Sequence, residues 1–468
     1  MMKRVGMIAL AVSLLLGGGA AVAVDIDIVA LKDDPSPETG FDYVRFRHPA
    51  IGDAVTTPVS FRARVKSASA GSRWGIFLDG VGEAGSAIQF QGDLAPESRL
   101  FKTLDNPTTN DDGDVAFTAR LSGGSEMVGR EGDTTVALVG DDLSAAVPPV
   151  TGVLDDLSDP RKTDGLVTDD GDVVFRGTIS GAAQVSGVDI DEGVFRCTGG
   201  DGDCSGGTGT LETLVLRNDP LPDRAGREIC SVTTLAASTF GIVMLADTQL
   251  DCADDGEPIR RGVLRMPYGG GIVTVALEGE ESEPIPGPGG TTYGLFMATP
   301  DIANDGTIVF KGRTGGLLIQ EVLYLCAAAS CPATRPEAAI VEGTVDPDGN
   351  AYGSFGTPVV ANGGLMAFKA KARGVSGSVR AVYRRQAGGT VDTVIARGDP
   401  VPGLLPASEV SRVFGFERVD LSSGGQLAFR AKIKPLAPPR RNRDGIFVAD
   451  LTTSPSGAFL DSWPDLLR

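Results

Sequence analysis

The chain has 468 residues, with 42 basic and 61 acidic side chains for a net charge of −19, a balance that favours solubility and argues against nucleic acid or anionic lipid as a partner. Its 41% hydrophobic content is enough for a core, and its 64 glycines and 29 prolines fit a chain that turns often rather than one built of long helices.

In chain order, Lys3 and Arg4 precede an apolar run from Val5 to Leu16, then small residues and Ala21-Val22-Ala23. This is the layout of a secretory signal with an A-x-A cleavage site, so residues 1–23 are read as a signal peptide and the mature protein as exported, to the periplasm or beyond the cell. No later stretch approaches about 18 uninterrupted apolar residues, so no membrane span is predicted. The C-terminal residues, Trp463 to Arg468, offer no hydrophobic tail for an anchor.

The mature chain opens on a strand, Ile26 to Leu31, and then repeats one phrase: a turn, a glycine, and a short apolar strand pivoting on one large residue before Lys or Arg. The pivots are Phe61, Phe117, Phe175, Leu245, Phe310, Phe368 and Phe429, spaced 56, 58, 70, 65, 58 and 61 residues apart. A unit of roughly sixty residues holds about four strands of ordinary length with their turns. The expected strands are an inner one such as Ser354 to Val360, the pivot strand, a third such as Gly445 to Asp450 and a fourth such as Asp392 to Arg397. Acidic, Pro-rich links carrying Asp34, Asp93, Asp141, Asp219, Glu280, Asp346 and Asp399 follow each fourth strand, and proline there ends one sheet before the next begins.

Repeated four-stranded sheets predict an all-β fold, a seven-bladed β-propeller of antiparallel blades spanning residues 24–451, with 452–468 as a C-terminal tail. The last unit lacks a fourth strand, which Ile26–Leu31 can supply, closing the ring and removing a free sheet edge. The basic residues after the pivots (Arg62, Arg120, Arg176, Lys311, Lys369 and Arg430 among them) are expected to pair with the link acids as structural ion pairs between blades.

Six cysteines in an exported chain read as three disulfides: Cys197 with Cys204 and Cys326 with Cys331 across short loops, and Cys230 with Cys252 across the hairpin of the weakest repeat. No cofactor motif occurs. The one candidate cation site is the run Asp346, Asp348 and Asn350 around Gly349, which has the spacing that opens a calcium loop but lacks the glutamate at position twelve. The single histidine, His48, lies on the first inner strand, where it could face the central channel, though a lone histidine is more often structural. The N-D-x-G turns, best seen at Asn110 to Gly113, are tight hairpin turns rather than metal loops.

At Asn110, Gly113 and Phe117 the chain resembles the exported bacterial tandem-repeat proteins that carry an N-x-x-G-x-x-x-F motif; the other units match it in part. The resemblance implies secreted or surface placement and no particular activity. The favoured functional reading is a monomeric, non-catalytic scaffold that binds an extracellular protein or glycan through the loops Ser180–Glu192, Asp251–Arg261 and Pro435–Asp444, with Arg440, Arg441 and Arg443 held forward by prolines as a basic binding tract. The competing reading is a propeller hydrolase or lyase acting on extracellular carbohydrate. Two or more acids converging in a deep central pocket favour the enzyme, and a flat face with ion-paired acids favours the binder.

Overall fold

The computed structural model describes residues 26–452 apart from 39, 53–56, 81–84, 132–133, 158–165, 182–183, 186–187, 190, 200–202, 253–255, 283–291, 317, 329, 376, 402–410 and 436–441. The signal segment 1–23 and most of the tail therefore lie outside the described residues. Seven four-stranded antiparallel blades surround a central channel, a seven-bladed β-propeller. Among the described residues no helix is long and apolar enough to cross a membrane.

Blade 1 is Asp42–Ile51, Val59–Ser67, Gly71–Asp79 and Ser86–Phe90 from the channel outwards, and blade 5 is Tyr293–Ile302, Ile308–Thr314, Glu321–Cys326 and Glu337–Val341. In blades 2, 3 and 6 the inner strand comes in two pieces, Phe101–Leu104 with Thr108–Thr109, Val153–Asp156 with Leu166–Val167, and Ala351–Phe355 with Val359–Val360. The continuous strand expected over Ser354–Val360 is thus broken at 356–358, where Pro358 brings no N–H to the ladder. Where the inner strand is unbroken in blades 1, 5 and 7, a bulge falls at the corresponding point, between Phe46 and Pro49, Met297 and Asp301, and Phe416 and Val419. Bulges of this kind re-aim side chains, here toward the channel.

Ring closure is as predicted. Ile26–Leu31 pairs antiparallel with Arg443–Asp450, Ile26 opposite Ala449 and Leu31 opposite Gly445, so blade 7 is completed by the beginning of the chain. Arg443 reinforces the seam: its Nε and Nη2 donate to the Lys32 carbonyl at 2.9 and 2.7 Å, and Nη2 reaches Asp34 at 2.6 Å. All three expected disulfides are present, Cys197–Cys204, Cys230–Cys252 and Cys326–Cys331.

The pivots explain the repeat. All seven are at most 3% exposed, and in five blades the cross-strand neighbour on the third strand is also aromatic and stacked on the pivot: Phe61 on Phe77, Phe175 on Phe195, Phe310 on Tyr324, Phe368 on Tyr383 and Phe429 on Phe447, with centroids 5.1 to 5.8 Å apart. Such pairs add about 0.5–1.5 kcal/mol each to the burial itself. In blade 2 the neighbour is Gly129, where a Cβ would stand 2.9 Å from the Phe117 ring, so the ring lies over the glycine instead.

Four of the basic residues after the pivots form structural ion pairs within their own blade, and their partners differ from those expected. They pair with an acid at the start of the third strand: Arg120 with Glu126 (2.7 Å), Arg176 with Glu192 (3.2 Å), Lys311 with Glu321 (3.0 Å) and Arg430 with Asp444 (2.9 Å). Three of these acids also accept a backbone N–H from the next blade's inner strand, Leu157 to Glu126 (3.2 Å), Val232 to Glu192 (2.8 Å) and Phe355 to Glu321 (3.0 Å). The link acids turn back on their own strands: Asp93, Asp141, Asp219 and Asp399 accept from the N–H of Phe90, Leu138, Leu216 and Ala396. A carboxylate three residues past a strand end satisfies the local backbone at little entropic cost, and so competes well against a distant cation.

Against burial, which pushes it up, the Phe355 amide and the Lys311 ammonium hold the Glu321 carboxyl below its ordinary range. Glu321→Gln keeps an acceptor for Phe355 but strands the Lys311 charge. Chemical denaturation should show a loss of about 3 kcal/mol, and a loss under about 1 kcal/mol would mean that the ion pair is dispensable. Arg443→Ala, at the more exposed seam, should cost on the order of 1 kcal/mol in the same measurement. An unchanged midpoint would show that the N-terminal strand is held by its ladder alone.

Candidate functional site

The seven inner strands converge on a cavity of about 170 Å³ in the channel, lined from every blade. Its wall includes the residue that pairs with the one just before each pivot. In chain order this residue is Ala50, Thr108, Leu166, Leu235, Asp301, Val359 and Asp420. Five of the seven are uncharged; blades 5 and 7 carry aspartate. The signal for these two residues was available in the sequence, in T-P-D-I and R-V-D-L, but only once the units are aligned on the strand before the pivot.

Both carboxylates are half-buried and both bridge blades. Asp301 Oδ2 accepts from the Val360 N–H at 2.8 Å, and Asp420 Oδ2 from the Ile51 N–H at 3.1 Å. Burial pushes the Asp301 carboxyl up to about 7, with the negative charge of Asp420 adding to it and the Val360 amide and Arg418 opposing it. Burial raises Asp420 as well, against the pull of Arg418. Arg418 sits in the blade 7 bulge and is exposed to the cavity it helps to line.

His48 lies in the corresponding bulge of blade 1 and faces the cavity, as its strand suggests. Burial, followed by the charge of Arg418, pushes its imidazole down to about 4, so the ring is neutral at neutral pH. Its Nδ1 is buried and has no hydrogen-bond partner among the described residues.

At the turn end the cavity has a floor. Ser423 Oγ donates to Asp111 Oδ2 at 2.9 Å, the Asp111 N–H donates to Asp169 Oδ1 at 2.9 Å, and Asn304 Nδ2 donates to Asp169 Oδ2. Asn304 in turn accepts from the Thr239 N–H at 3.2 Å. These residues occupy one position of the repeated turn, and the Ser423–Asp111 and Asn304–Asp169 bonds each skip a blade, so the network spans the channel. The motif asparagine itself, Asn110, ties its own turn through Asp114 and donates to the Thr168 carbonyl of the next blade at 3.0 Å.

The other predicted site residues lie elsewhere. Asp346 accepts from the N–H of Asp348 and Asn350, from Asn350 Nδ2 and from the Tyr383 hydroxyl at 2.9 Å, so this carboxylate is turned into its own loop. No group of three metal-ligating side chains occurs among the described residues. Of the basic tract, Arg443 belongs to the ring seam rather than projecting forward, and Arg440 and Arg441 lie outside the described residues.

Fold and cavity together define a closed seven-bladed propeller with a central pocket lined by both polar and apolar side chains. Residues 20–203 and 334–457 match the Family of unknown function (DUF7453), and the chain belongs to that family. A comparison with curated proteins finds no match. Among solved structures it is similar in fold to a protein of unknown function from Dyadobacter fermentans DSM 18053 (10% identity, TM-score 0.34, covering 91% of this chain and 98% of that one). It is similar also to the polysaccharide lyase Uly1 (10% identity, TM-score 0.41, 92% and 100%). A third is the α-L-arabinofuranosidase Arb93A of Fusarium graminearum (11% identity, TM-score 0.33, 92% and 99%). At these identities the likeness concerns the fold alone.

Asp301 makes a testable contribution to stability. Its carboxyl ionises at about 7 in the folded protein against an ordinary 3.8, so between those values unfolding releases a proton and the native state loses stability as pH rises. The loss is at most about 1.4 kcal/mol per pH unit. Asp301→Asn removes it, so the variant should gain on wild type in denaturant titrations from about pH 4 to about pH 7. Parallel pH profiles for the two proteins would show that Asp301 ionises normally.

Proposed function

We propose that this protein is an exported propeller that takes a sugar-type ligand into its central cavity and cleaves a glycosidic bond by acid–base chemistry. The observation that carries the reading is the convergence of Asp301 and Asp420 on one cavity, at a position that is uncharged in the five other blades. An acid poised near neutrality is suited to proton transfer, since it is present in both forms at working pH. In this reading Asp301 delivers its proton to the leaving oxygen as the C–O bond breaks. Asp420 takes a proton from the water whose oxygen bonds to the anomeric carbon. Arg418, beside both, offsets the charge left on the two carboxylates. The three disulfides and the lack of a long apolar helix among the described residues fit export.

A scaffold function has less to stand on. Arg443 serves the ring seam, and Glu192 and Glu321 at the blade junctions are engaged in structural pairs.

The purified protein should be incubated with a panel of neutral and acidic oligosaccharides while new reducing ends and unsaturated sugar ends are followed separately. The two readouts distinguish hydrolysis from elimination. Turnover should fall at least about 100-fold in Asp301→Asn and in Asp420→Asn, with both variants folded. Turnover within twofold of wild type in both variants, or no cleavage of any member of the panel, would refute the reading.

A further inference from the structure

We propose that His48 and Asn106 form a hydrogen-bonding subsite that takes two adjacent hydroxyl groups of an uncharged sugar ring and turns the far edge of that ring toward Asp301. This rests on the central cavity being the ligand site and names what the cavity grips.

The starting point is a second tier of the channel. Two residues before Ala50, Thr108, Asp301, Val359 and Asp420 stand His48, Asn106, Thr299, Thr357 and Arg418, and all five line the cavity. Blades 1, 2, 5 and 6 follow this position with a proline: Pro49, Pro107, Pro300 and Pro358. Proline has a fixed φ and confines the residue before it to extended backbone, so these side chains are presented from a stiff segment. In blade 1 the segment is the bulge between Phe46 and Pro49, and in blade 2 it is the gap between the strand pieces that end at Leu104 and begin at Thr108. Neither residue is held in the ladder, and each is free to serve the channel.

At these two positions the side chain is unanswered. Neither the His48 imidazole nor the Asn106 carboxamide hydrogen-bonds to a described residue, and His48 Nδ1 and Asn106 Oδ1 are buried without a partner. A buried polar atom left unmatched costs about 1–3 kcal/mol, and here two of them occur in neighbouring blades at one register of one cavity. Both groups are planar and turn about a single Cβ–Cγ bond with a broad torsional preference, so a half-turn brings Nδ1 or the amide oxygen round to the other side.

The imidazole stays uncharged at neutral pH and offers one donor and one acceptor, while the carboxamide offers two donors and an acceptor. A hydroxyl both donates and accepts, so a neighbouring pair of hydroxyls can meet both groups at once. A carboxylate or a sulfate only accepts, and would leave both acceptors unmatched. Seven blades in a ring set blades 1 and 2 opposite blade 5. A sugar held by its hydroxyls at His48 and Asn106 therefore directs its far edge at Asp301. Asp420 is at its flank, since Asp420 Oδ2 accepts from the Ile51 N–H three residues past His48.

His48 is the only histidine in the chain, so protein grown with isotope-labelled histidine and purified without a histidine tag gives the nitrogen signals of one imidazole. The whole protein is titrated with D-glucose, D-galactose, L-arabinose and D-glucuronate while those signals are followed by NMR and binding by calorimetry. At least one of the three uncharged sugars should move the imidazole nitrogens along its calorimetric binding curve. His48→Phe and Asn106→Leu should each weaken that sugar about tenfold. His48→Asn, which returns a polar atom to the place of Nδ1, should bind it within about threefold of wild type. The wild-type NMR titration needs no variant, so a substitution that fails to fold leaves it to decide. Binding with the imidazole signals unmoved, or undiminished in both His48→Phe and Asn106→Leu, overturns the subsite and leaves the cavity reading standing. Tighter binding of D-glucuronate than of every uncharged sugar overturns the uncharged class. Absence of binding by all four overturns the cavity reading and this one with it.

Discussion

Backbone amides stranded by a broken strand have to be answered from somewhere, and in this propeller they are answered by carboxylates from the neighbouring blade. The inner strands are bulged or interrupted at the channel, so their N–H groups cannot all be used in the sheet that contains them. Glu126, Glu192 and Glu321 reach across to Leu157, Val232 and Phe355, and each is neutralised by a cation of its own blade. Asp301 and Asp420 apply the same device deeper in the channel, on Val360 and Ile51. There burial raises both carboxyls against the pull of Arg418. Structural need and chemical readiness therefore meet in the same two side chains.

Much of the architecture was legible because the repeat is written in residues with a physical job. A pivot that must be buried, a glycine that must take a left-handed turn and a missing last strand together give the blades, their number and the seam between Ile26–Leu31 and Arg443–Asp450. The cysteines fall at hairpin ends, and their pairing followed from that alone. The inner strand was less legible, since a bulge depends on how a strand meets its neighbour and Pro49 permits one there without fixing its place. The partner of each basic residue was also hidden. Acids lie on both sides of every blade junction, and the choice between Asp399, which folds back on Ala396, and an acid at the start of a third strand is made by distances that spacing does not encode.

The candidate site was harder to read for a related reason. Asp301 and Asp420 are ordinary aspartates in their local sequence, and their meaning comes from five other positions being Ala, Thr, Leu, Leu and Val. In a ring of near-equivalent units the exceptions to the repeat, rather than the repeated residues, mark where the symmetry has been given up for another purpose.

The hydrogen-bonded floor that joins Ser423, Asp111, Asp169 and Asn304 has a consequence for traffic. A propeller channel open at both ends lets a chain thread through, whereas one laced across at the turn face is a cup with a single mouth. Such a cup admits a ligand from one face only, and whatever enters leaves by the way it came.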